Sequence, residues 1–441
     1  MSYLTDRRRF LKSTALTGVG VFVAGKAAAE DSKSPNERVR FGCIGIGGKG
    51  QSDSGDARRL GDVLAICDID DNTLEKAGAK SFPKAAKYND FRKMLDEVGK
   101  SIDAVTVSTP DHMHAVATAY ALKAGKACFT QKPLTRTIYE ARKLGDIARE
   151  AKVATQMGNQ GTASNSLRKT AELIRAGAVG NVKEVHVWTN RPIWPQGGPR
   201  PAEAAVPSNV HWDLWLGPAP ERPYAPGYHP FAWRGWWDFG SGALGDMACH
   251  TVNMPFMALD LRDPTSVQAT TSGHNRDSYP KWSVIDYEFP ANDKRQALKM
   301  VWYDGGKKPS PDLFEGQQVS ETGVLLIGDK GKLFAPGDYC EKGYKVLAGA
   351  EDKKVEFEAS PGHFEEFIRA IKGGPAARSN FPDYSGPLTE TILLGNLAVW
   401  AAAEPEAAGK KIEWDAKNLT ATNAPEVAGV VKPEYRQGYT L

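Results

Sequence analysis

The stretch from residue 39 to residue 50, V-R-F-G-C-I-G-I-G-G-K-G, constrains the fold of this chain more than any other feature. Its apolar start predicts a short buried strand, and Gly45, Ile46, Gly47 and Gly50 belong to a G-x-G-x-x-G turn into a helix. In a dinucleotide-binding turn, one glycine permits the tight bend, a second lets a pyrophosphate approach the backbone, and the third lets the helix pack closely on the strand. The chain has 44 glycines, so the pattern carries weight only through its context.

That context is a second predicted strand over residues 62–67, which ends in Asp68. An acid about 20 residues after the turn is where a ribose-binding carboxylate belongs. Such a group accepts hydrogen bonds from ribose hydroxyls and repels a 2′-phosphate, so the sequence favours NAD over NADP. The alternative is a glycine-rich turn followed by a surface aspartate.

The first 29 residues resemble a twin-arginine export signal. Arg7, Arg8 and Arg9 precede Phe-Leu-Lys, a mild apolar run follows, and residues 27–29 are three alanines. The run is too short and too rich in glycine and threonine to span a membrane. The other interpretation is a disordered basic N-terminus.

Charge and cysteine usage exclude several classes of protein. The whole chain has a net charge of +3, and its first 29 residues alone carry +4, so the remaining residues carry −1. This near-neutral part of the chain gives no electrostatic reason to bind nucleic acid or an anionic membrane. Five cysteines show neither a CxxC pair nor the spacing of metal ligands, and we expect no structural disulfide and no metal site.

After a polar linker (residues 30–36), strands alternate with helices up to about residue 156. This alternation predicts a doubly wound parallel sheet, a Rossmann domain over residues 37–156. The strands expected are residues 39–44, 62–67, 85–88, 103–107, 127–130 and 153–155, and the helices between them cover residues 72–80, 91–98, 114–124 and, behind a capping box at Thr137 and Glu140, the stretch to residue 152.

Ligands of such sheets bind at the carboxyl ends of the strands, where three polar clusters fall. Cofactor contacts are expected from Thr109, Pro110, His114, Gln131, Lys132 and Asn159, and a substrate contact from Gln160. His112 and His114 suggest a metal only weakly, because no third ligand lies nearby. Lys132, held by the following proline at a strand end, is expected to point into the cleft, and the alternative is a solvated surface lysine.

The second domain is predicted over residues 157–441, with helices expected near residues 167–174, 364–371 and 388–403. Between residues 266 and 335 strands follow one another without helices between them, which predicts an α/β domain built on a largely antiparallel open sheet. A segment over residues 190–239 holds six of the 11 tryptophans. Flat apolar rings beside polar groups suit the faces of pyranoses, although the same rings can simply pack a region that lacks regular structure. Expected substrate contacts there are Arg191, Trp194, Trp233, Arg234 and Trp236.

Asp246 and His250 are four residues apart on a predicted helix, so they share one face. A histidine tuned by a carboxylate suits removal of a hydroxyl proton while hydride leaves the same carbon. A plain ion pair on a helix face is the other interpretation.

Four motifs of this chain resemble those of the glucose–fructose oxidoreductase / inositol dehydrogenase / MocA family. They are the glycine turn, the T-P-x-x-x-H segment at Thr109, the Lys-Pro pair at Lys132 and the G-x-x-x-D-x-x-x-H segment ending at His250. That family usually reads Glu-Lys-Pro where this chain has Gln131, and it often has Asp where this chain has Asn253. The resemblance implies a catalytic trio of Lys132, Asp246 and His250, with His250 as base, Asp246 orienting it and Lys132 polarising the reacting oxygen.

The function expected is therefore a periplasmic NAD-dependent sugar oxidoreductase. A free NAD pool is not expected outside the cytoplasm, so the cofactor should be exported tightly bound and regenerated in the same site. The first alternative is a redox-neutral NAD-dependent glycosidase or lyase acting through a 3-keto intermediate. The second is a sugar-binding protein without activity, in which His250→Ala would leave sugar affinity intact. A bare sheet face favours a homodimer or homotetramer.

Overall fold

The computed structural model describes residues 37–441, of which Arg38–Leu441 form one compact unit. The export signal and the linker predicted for residues 1–29 and 30–36 lie outside the described residues. Within the part that the structure describes, no helix combines the length and apolar composition needed to cross a membrane.

Six parallel strands form the first sheet, in the order β3-β2-β1-β4-β5-β6. The order reverses between β1 and β4, which makes the crevice at the carboxyl ends of these two strands the natural ligand site. The predicted doubly wound sheet is confirmed. Its strands are β1 (Val39–Ile44), β2 (Gly61–Cys67), β3 (Ala86–Tyr88), β4 (Ala104–Val107), β5 (Ala127–Thr130) and β6 (Thr155–Met157).

The helices of this half lie between the strands, and two elements differ from the sequence prediction by more than one residue. The fourth helix begins three residues before His114, because Pro110 already has the extended backbone of an N-cap. The sixth strand begins two residues late, because Lys152 closes the preceding helix in a left-handed conformation. The predicted capping box is present. The helices are α1 (Lys49–Leu60), α2 (Asp71–Lys80), α3 (Phe91–Val98), α4 (Asp111–Lys123) and α5 (Ile138–Ala151).

Nine strands form the second sheet, in the order β13-β12-β11-β7-β10-β9-β8-β14-β15. Only the pairing of β7 with β10 is parallel among these strands, so the largely antiparallel prediction is confirmed. The strands are β7 (Val182–Trp188), β8 (Ser266–Thr271), β9 (Ser283–Phe289), β10 (Leu298–Tyr303), β11 (Gly323–Gly328), β12 (Lys332–Pro336), β13 (Lys345–Leu347), β14 (Ile412–Asp415) and β15 (Thr420–Ala421).

The last helices join the two halves through one apolar core. The apolar helix Gly386–Ala401 packs on β8, on β9 and on α5 of the first half. Its buried residues include Leu388, Ile392 and Leu397. The helices are α6 (Asn165–Arg175), α7 (Trp212–Leu216), α8 (Gly242–Thr251), α9 (Asn253–Leu259), α10 (His363–Ile371), α11 (Gly386–Ala401) and α12 (Ala428–Val431).

Residues 190–239, which we call the insertion, run between β7 and α8 and contain α7 and one short 3-10 helix at Ala232–Gly235. Aromatic side chains supply its core, where Trp215, Tyr228, Trp236 and Phe239 pack together. The insertion thus folds on its own aromatic cluster, next to the carboxyl ends of the parallel strands.

Candidate active site

The glycine turn has the close approaches expected of a dinucleotide-binding loop. Gly45 has a φ of +73°, and a Cβ there would lie 2.7 Å from the carbonyl oxygen of Ser108. A Cβ on Gly50 would lie 2.0 Å from the carbonyl oxygen of Gly45, so only glycine lets α1 approach the turn. Gly48 faces open space, with no atom within 4 Å of a Cβ position. The turn is therefore tight toward the protein and open where a phosphate would lie.

Asp68 braces this turn from the end of β2. Its Oδ2 accepts hydrogen bonds from the amides of Ile46 at 2.9 Å and Gly47 at 3.3 Å, and its Oδ1 accepts one from the amide of Asp70 at 3.1 Å. Burial raises the pKa of this carboxyl, against the effect of the three amides. A carboxylate oxygen offers two lone pairs, so Oδ1 keeps acceptor capacity for a ribose hydroxyl.

His114 holds two strand-end loops together. Its Nδ1 lies 2.8 Å from the carbonyl oxygen of Pro133, and its Nε2 lies 2.8 Å from that of Thr109. The ring is buried, and this burial lowers its pKa. A neutral imidazole has one N–H and can donate to only one of these carbonyls. Both ring nitrogens of His114 nevertheless face the protein loops that carry Thr109 and Lys132, which leaves neither for the cofactor contact expected from the sequence.

The ring nitrogens of His112 also face protein carbonyls: Nε2 lies 2.8 Å from the carbonyl oxygen of Trp215, and Nδ1 lies 3.2 Å from that of Phe239. Burial lowers its pKa to about 4. Among the described residues no three histidine, cysteine or acidic side chains form a group that could hold a metal ion. All five cysteines are free and buried.

Gln131 turns away from the cleft toward a buried carboxylate that sequence reasoning missed. Its Nε2 donates to Asp53 Oδ2 at 2.9 Å, and its Oε1 accepts from the amide of Lys132 at 3.2 Å. Asp53 also accepts from the hydroxyl of Ser108 at 2.7 Å and from the ammonium of Lys49 at 2.9 Å. Gln131 therefore supports the backbone of Lys132, whereas the sequence suggested that it lines the cofactor.

Lys132 and Asp246 form a buried ion pair between the two halves of the molecule. Lys132 Nζ lies 2.7 Å from Asp246 Oδ1 and 2.9 Å from the carbonyl oxygen of the same residue. Arg234 Nε donates to the same Oδ1 at 2.9 Å, and Arg191 Nε lies 3.8 Å from Oδ2. Burial by itself would raise the pKa of Asp246, but the charges of Lys132 and Arg234 lower it well below its usual range. This carboxylate stays ionised at neutral pH.

His250 lies beside this pair on α8, but no hydrogen bond joins it to Asp246 within the described chain. The expectation that Asp246 orients His250 by such a bond is wrong, because Lys132 and Arg234 take the carboxylate oxygen. His250 Nδ1 is buried without a partner among the described residues, and the ring meets that of Tyr339 edge-on at 4.7 Å. Burial, reinforced by the charge of Lys132, lowers the pKa of His250 well below its ordinary value, so the imidazole is neutral.

The polar side chains near the end of β6 differ in whether they have hydrogen-bond partners within the described part of the chain. Asn159 is buried and accepts a hydrogen bond from Ser379, while its amide nitrogen has no partner in the described part of the chain. The Oγ1 of Thr109 is likewise buried and unpartnered there. Gln160 is exposed on a short 3-10 helix. Asn253 donates to Thr162 at 2.8 Å and accepts from Tyr384, which gives it a structural role.

The tryptophans of the insertion take two different roles. Trp233 and Trp194 lie against the guanidinium of Arg234, at 4.1 Å and 5.6 Å from ring centre to carbon, which places both rings at the ion pair. Trp236 instead packs inside the aromatic cluster, and its Nε1 donates to the carbonyl oxygen of Gly227 at 2.9 Å. The substrate contact expected of Trp236 is thus not what the structure provides, because the cluster uses both its ring and its polar atom.

Asp338 and Tyr339 also lie at this site, and no sequence pattern marks either residue. They follow β12 in a stretch without a recognisable motif. Asp338 has a buried, unpartnered Oδ1 among the described atoms, and burial raises its pKa. Both lie close enough to Arg191 and Asp246 to feel their charges, and Tyr339 contacts the ring of His250.

The cleft fits a dinucleotide. The turn at Gly48 is open toward solvent, Asp68 has acceptor capacity left, and Thr109 and Asn159 present buried polar atoms that need partners. Across the sheet, the ends of β2, β1, β4 and β6 carry these features in the order in which adenosine ribose, pyrophosphate and the nicotinamide half would meet them.

Comparison with known proteins gives the same assignment for both halves. Residues 39–159 match the family model described as "Oxidoreductase family, NAD-binding Rossmann fold", and residues 171–337 match "Oxidoreductase family, C-terminal alpha/beta domain". Both models belong to the GFO/IDH/MocA family, and together they cover more than half of the chain.

Individual relatives are more distant. A protein of Solibacter usitatus named glycosyl hydrolase family 109 protein is 35% identical over 155 residues, which is 32% of this chain and 35% of that protein. The chain thus spans about a third of the length of that relative. The rhizopine catabolism protein MocA of Rhizobium meliloti is 27% identical over 364 residues, covering 80% of this chain and 92% of that one.

Among solved structures, the WlbA dehydrogenase of Bordetella pertussis, in complex with NADH and UDP-GlcNAcA, superposes with a TM-score of 0.57 at 18% identity and covers 86% of this chain and all of that one. Aldose-aldose oxidoreductase of Caulobacter crescentus gives 0.58 at 16% identity, with 85% and 100% covered. These similarities show the fold. With both family models matched along the chain, the protein belongs to the GFO/IDH/MocA oxidoreductase family.

Proposed function

We propose that this protein is an NAD-dependent oxidoreductase that moves hydride between a carbinol carbon of a carbohydrate and tightly bound nicotinamide. The observation that carries the proposal is the buried pair of Lys132 and Asp246, with a neutral His250 beside it, at the carboxyl end of a Rossmann sheet. A buried lysine fixed by an ionised carboxylate is what stabilisation of a developing alkoxide requires.

Each residue of the trio has a role that its contacts permit. An ammonium has three N–H donors, and Asp246 takes two of those of Lys132, which leaves one for the oxygen of the reacting carbinol. His250 is neutral and buried, so its imidazole can accept the hydroxyl proton as the C–O bond becomes a carbonyl. Bound NAD supplies the hydride acceptor. Asp246 acts by holding Lys132 rather than by orienting His250.

Three acids within four residues after β2 support NAD over NADP. Asp68, Asp70 and Asp71 give this strand end a negative charge, which an additional phosphate on the adenosine ribose would meet. The cofactor-binding residues are the glycine turn, Asp68, Thr109 and Asn159.

A redox-neutral reaction is the second candidate. Relatives of the chain, such as the Solibacter protein, carry the name glycosyl hydrolase family 109 protein, which supports an NAD-dependent glycosidase acting through a 3-keto sugar. Both candidates use the same trio for the oxidation step. They differ in the product, which keeps its oxidation state in the second.

Export through the twin-arginine pathway, and assembly into a homodimer or homotetramer, belong to the same proposal. Arg7 to Arg9 and the three alanines support export, and fractionation of cells after expression of the full chain tests it. Sedimentation of the purified protein as a monomer would refute the assembly.

The decisive experiment uses protein purified without added nucleotide. Denaturation should release one NAD per chain, and absorbance near 340 nm should rise when the right pyranoside is added to intact protein. A sugar product formed without net reduction would select the glycosidase. Absence of bound dinucleotide, with no binding of added NAD or NADP, would refute the proposal and leave a sugar-binding protein as the better hypothesis.

A further inference from the structure

The insertion contacts the Rossmann domain at the end of β2, directly after the ribose-binding acid. The backbone of residues 209–211 pairs with that of residues 69–71 through an antiparallel bridge between Val210 and Asp70. Two hydrogen bonds form it, from the amide of Asp71 to Asn209 O at 2.9 Å and from the amide of His211 to Ile69 O at 3.0 Å. The second domain thus adds one short strand segment beside the adenosine end of the cofactor site.

Side chains strengthen this contact. Asn209 Nδ2 donates to Asp70 Oδ1 at 2.7 Å, and His211 Nε2 lies 3.0 Å from Asp71 Oδ1. Ile69 packs against the aromatic cluster of the insertion, and Val210 is buried. The residue next to Asp68 is therefore a part of the hydrophobic packing of the insertion.

The insertion makes two more contacts along the same edge of the sheet. At the end of β4, the imidazole of His112 meets the carbonyl oxygens of Trp215 and Phe239. After β5, Arg136 Nη1 donates to the carbonyl oxygen of Trp237 in the insertion at 2.7 Å, and Arg234 of the insertion donates to Asp246, the partner of Lys132. The contacts fall at the carboxyl ends of β2, β4 and β5, which is the line along which a dinucleotide lies in an open α/β sheet.

We infer that the insertion is a strap over the dinucleotide, and that Asn209, Val210 and His211 are positioning residues that retain the cofactor between turnovers. The inference rests on the proposed function and deepens it, because a cofactor that stays bound has to be restored to its starting oxidation state within the site. A cofactor retained in this way can be reduced by one sugar and reoxidised by a second, or it can be reduced and reoxidised within one redox-neutral reaction.

The first test measures exchange of the cofactor rather than activity. Holoprotein is incubated with an excess of isotopically labelled NAD, separated by gel filtration, and the label per chain is followed with time. The test variant combines Asn209→Ala with His211→Pro, which removes both side-chain contacts and the amide donor; the φ of His211, −82°, is close to that of proline. The control is Asp213→Asn, because Asp213 pairs with Arg436 and not with residues 69–71.

We expect slow exchange in the natural protein and in the control, and exchange about 10-fold faster or more in the test variant, since three hydrogen bonds are lost. Equal exchange rates in all three proteins would overturn the strap while leaving NAD binding intact. Absence of dinucleotide in all three would instead refute the proposed function, and the strap with it.

A cross-link provides a test in the opposite direction, in which the reduced form of the same variant is the reference. The bridge places the backbones of residues 70 and 210 side by side, at the spacing a disulfide requires. In Asp70→Cys with Val210→Cys, oxidation by diamide should slow exchange of labelled NAD below that of the reduced form, and dithiothreitol should restore it. Unchanged exchange after complete cross-linking would overturn the inference.

Discussion

The ion pair between Lys132 and Asp246 allows a quantitative test of the site through stability. At 2.7 Å the Coulomb attraction amounts to about 6 kcal/mol at an effective dielectric constant of about 20. Desolvation of two groups with side-chain exposures of 16% and 11% cancels most of this. We therefore expect a net coupling of about 2 kcal/mol between the two side chains, measured by a double-mutant cycle.

The cycle uses Lys132→Met, Asp246→Asn and the double variant, with urea unfolding followed by tryptophan fluorescence. Asp246→Asn should cost about 3 to 5 kcal/mol, because Lys132 and Arg234 lose the carboxylate to which both donate. Lys132→Met should cost less, since Arg234 still neutralises the carboxylate. The double variant should be more stable than the sum of the two losses predicts.

The pH dependence of the free energy of unfolding tests independently whether the ionised form of Asp246 stabilises the protein. The folded pKa of Asp246 lies below its unfolded value of about 3.9, so its contribution is complete above about pH 4 and is lost as the pH falls toward the folded pKa. The stability gap between the natural protein and Asp246→Asn should therefore shrink below pH 4. A coupling under about 0.5 kcal/mol, or a gap that widens in acid, would refute the reasoning.

Three further predictions concern other parts of the molecule. His250→Ala should lower kcat by about 10² to 10⁴ and leave bound NAD unchanged, and loss of NAD together with activity would contradict its role as base. Gly50→Ala should abolish dinucleotide binding, because the added Cβ would lie 2.0 Å from the carbonyl oxygen of Gly45. The matched control is Gly55→Ala on the same helix, where an added Cβ has no atom within 4 Å. Equal NAD content in the two variants would contradict the prediction. Burial raises the pKa of Asp304 from 3.8 to about 6, so the free energy of unfolding should fall by about 2 kcal/mol between pH 4 and pH 6. Asp304→Asn should remove this slope, and a slope that persists in the variant would assign it to other groups.

Local periodicity and turn chemistry predicted the parallel sheet well, because each strand and helix there is encoded by its own residues. The capping box at Thr137 and the glycine turn are examples in which a few neighbouring residues determine the backbone. The short strands Lys345–Leu347, Ile412–Asp415 and Thr420–Ala421 were not predicted, because they are formed by pairing with distant strands rather than by an apolar pattern of their own.

The site was predictable only as a set of residue types at strand ends. Lys132, Asp246 and His250 do come together, but the partners of each depend on residues far along the chain. Arg234 arrives from the insertion and takes the oxygen that His250 was expected to use. Asp53 lies on α1 without any sequence pattern that marks it, and its burial beside Gln131 follows only from how α1 packs on the sheet.

The hydrogen bond between Gln131 and Asp53 restricts which sequence changes are open to this chain. A glutamate at position 131, the residue usual in the family, would place a second carboxylate about 2.9 Å from Asp53 in a buried environment. One of the two would then have to bind a proton, because the hydrogen bond that Gln131 Nε2 donates to Asp53 would be lost. Substitution at either position alone therefore passes through a less stable protein, so residues 53 and 131 are expected to change together in the descent of this lineage.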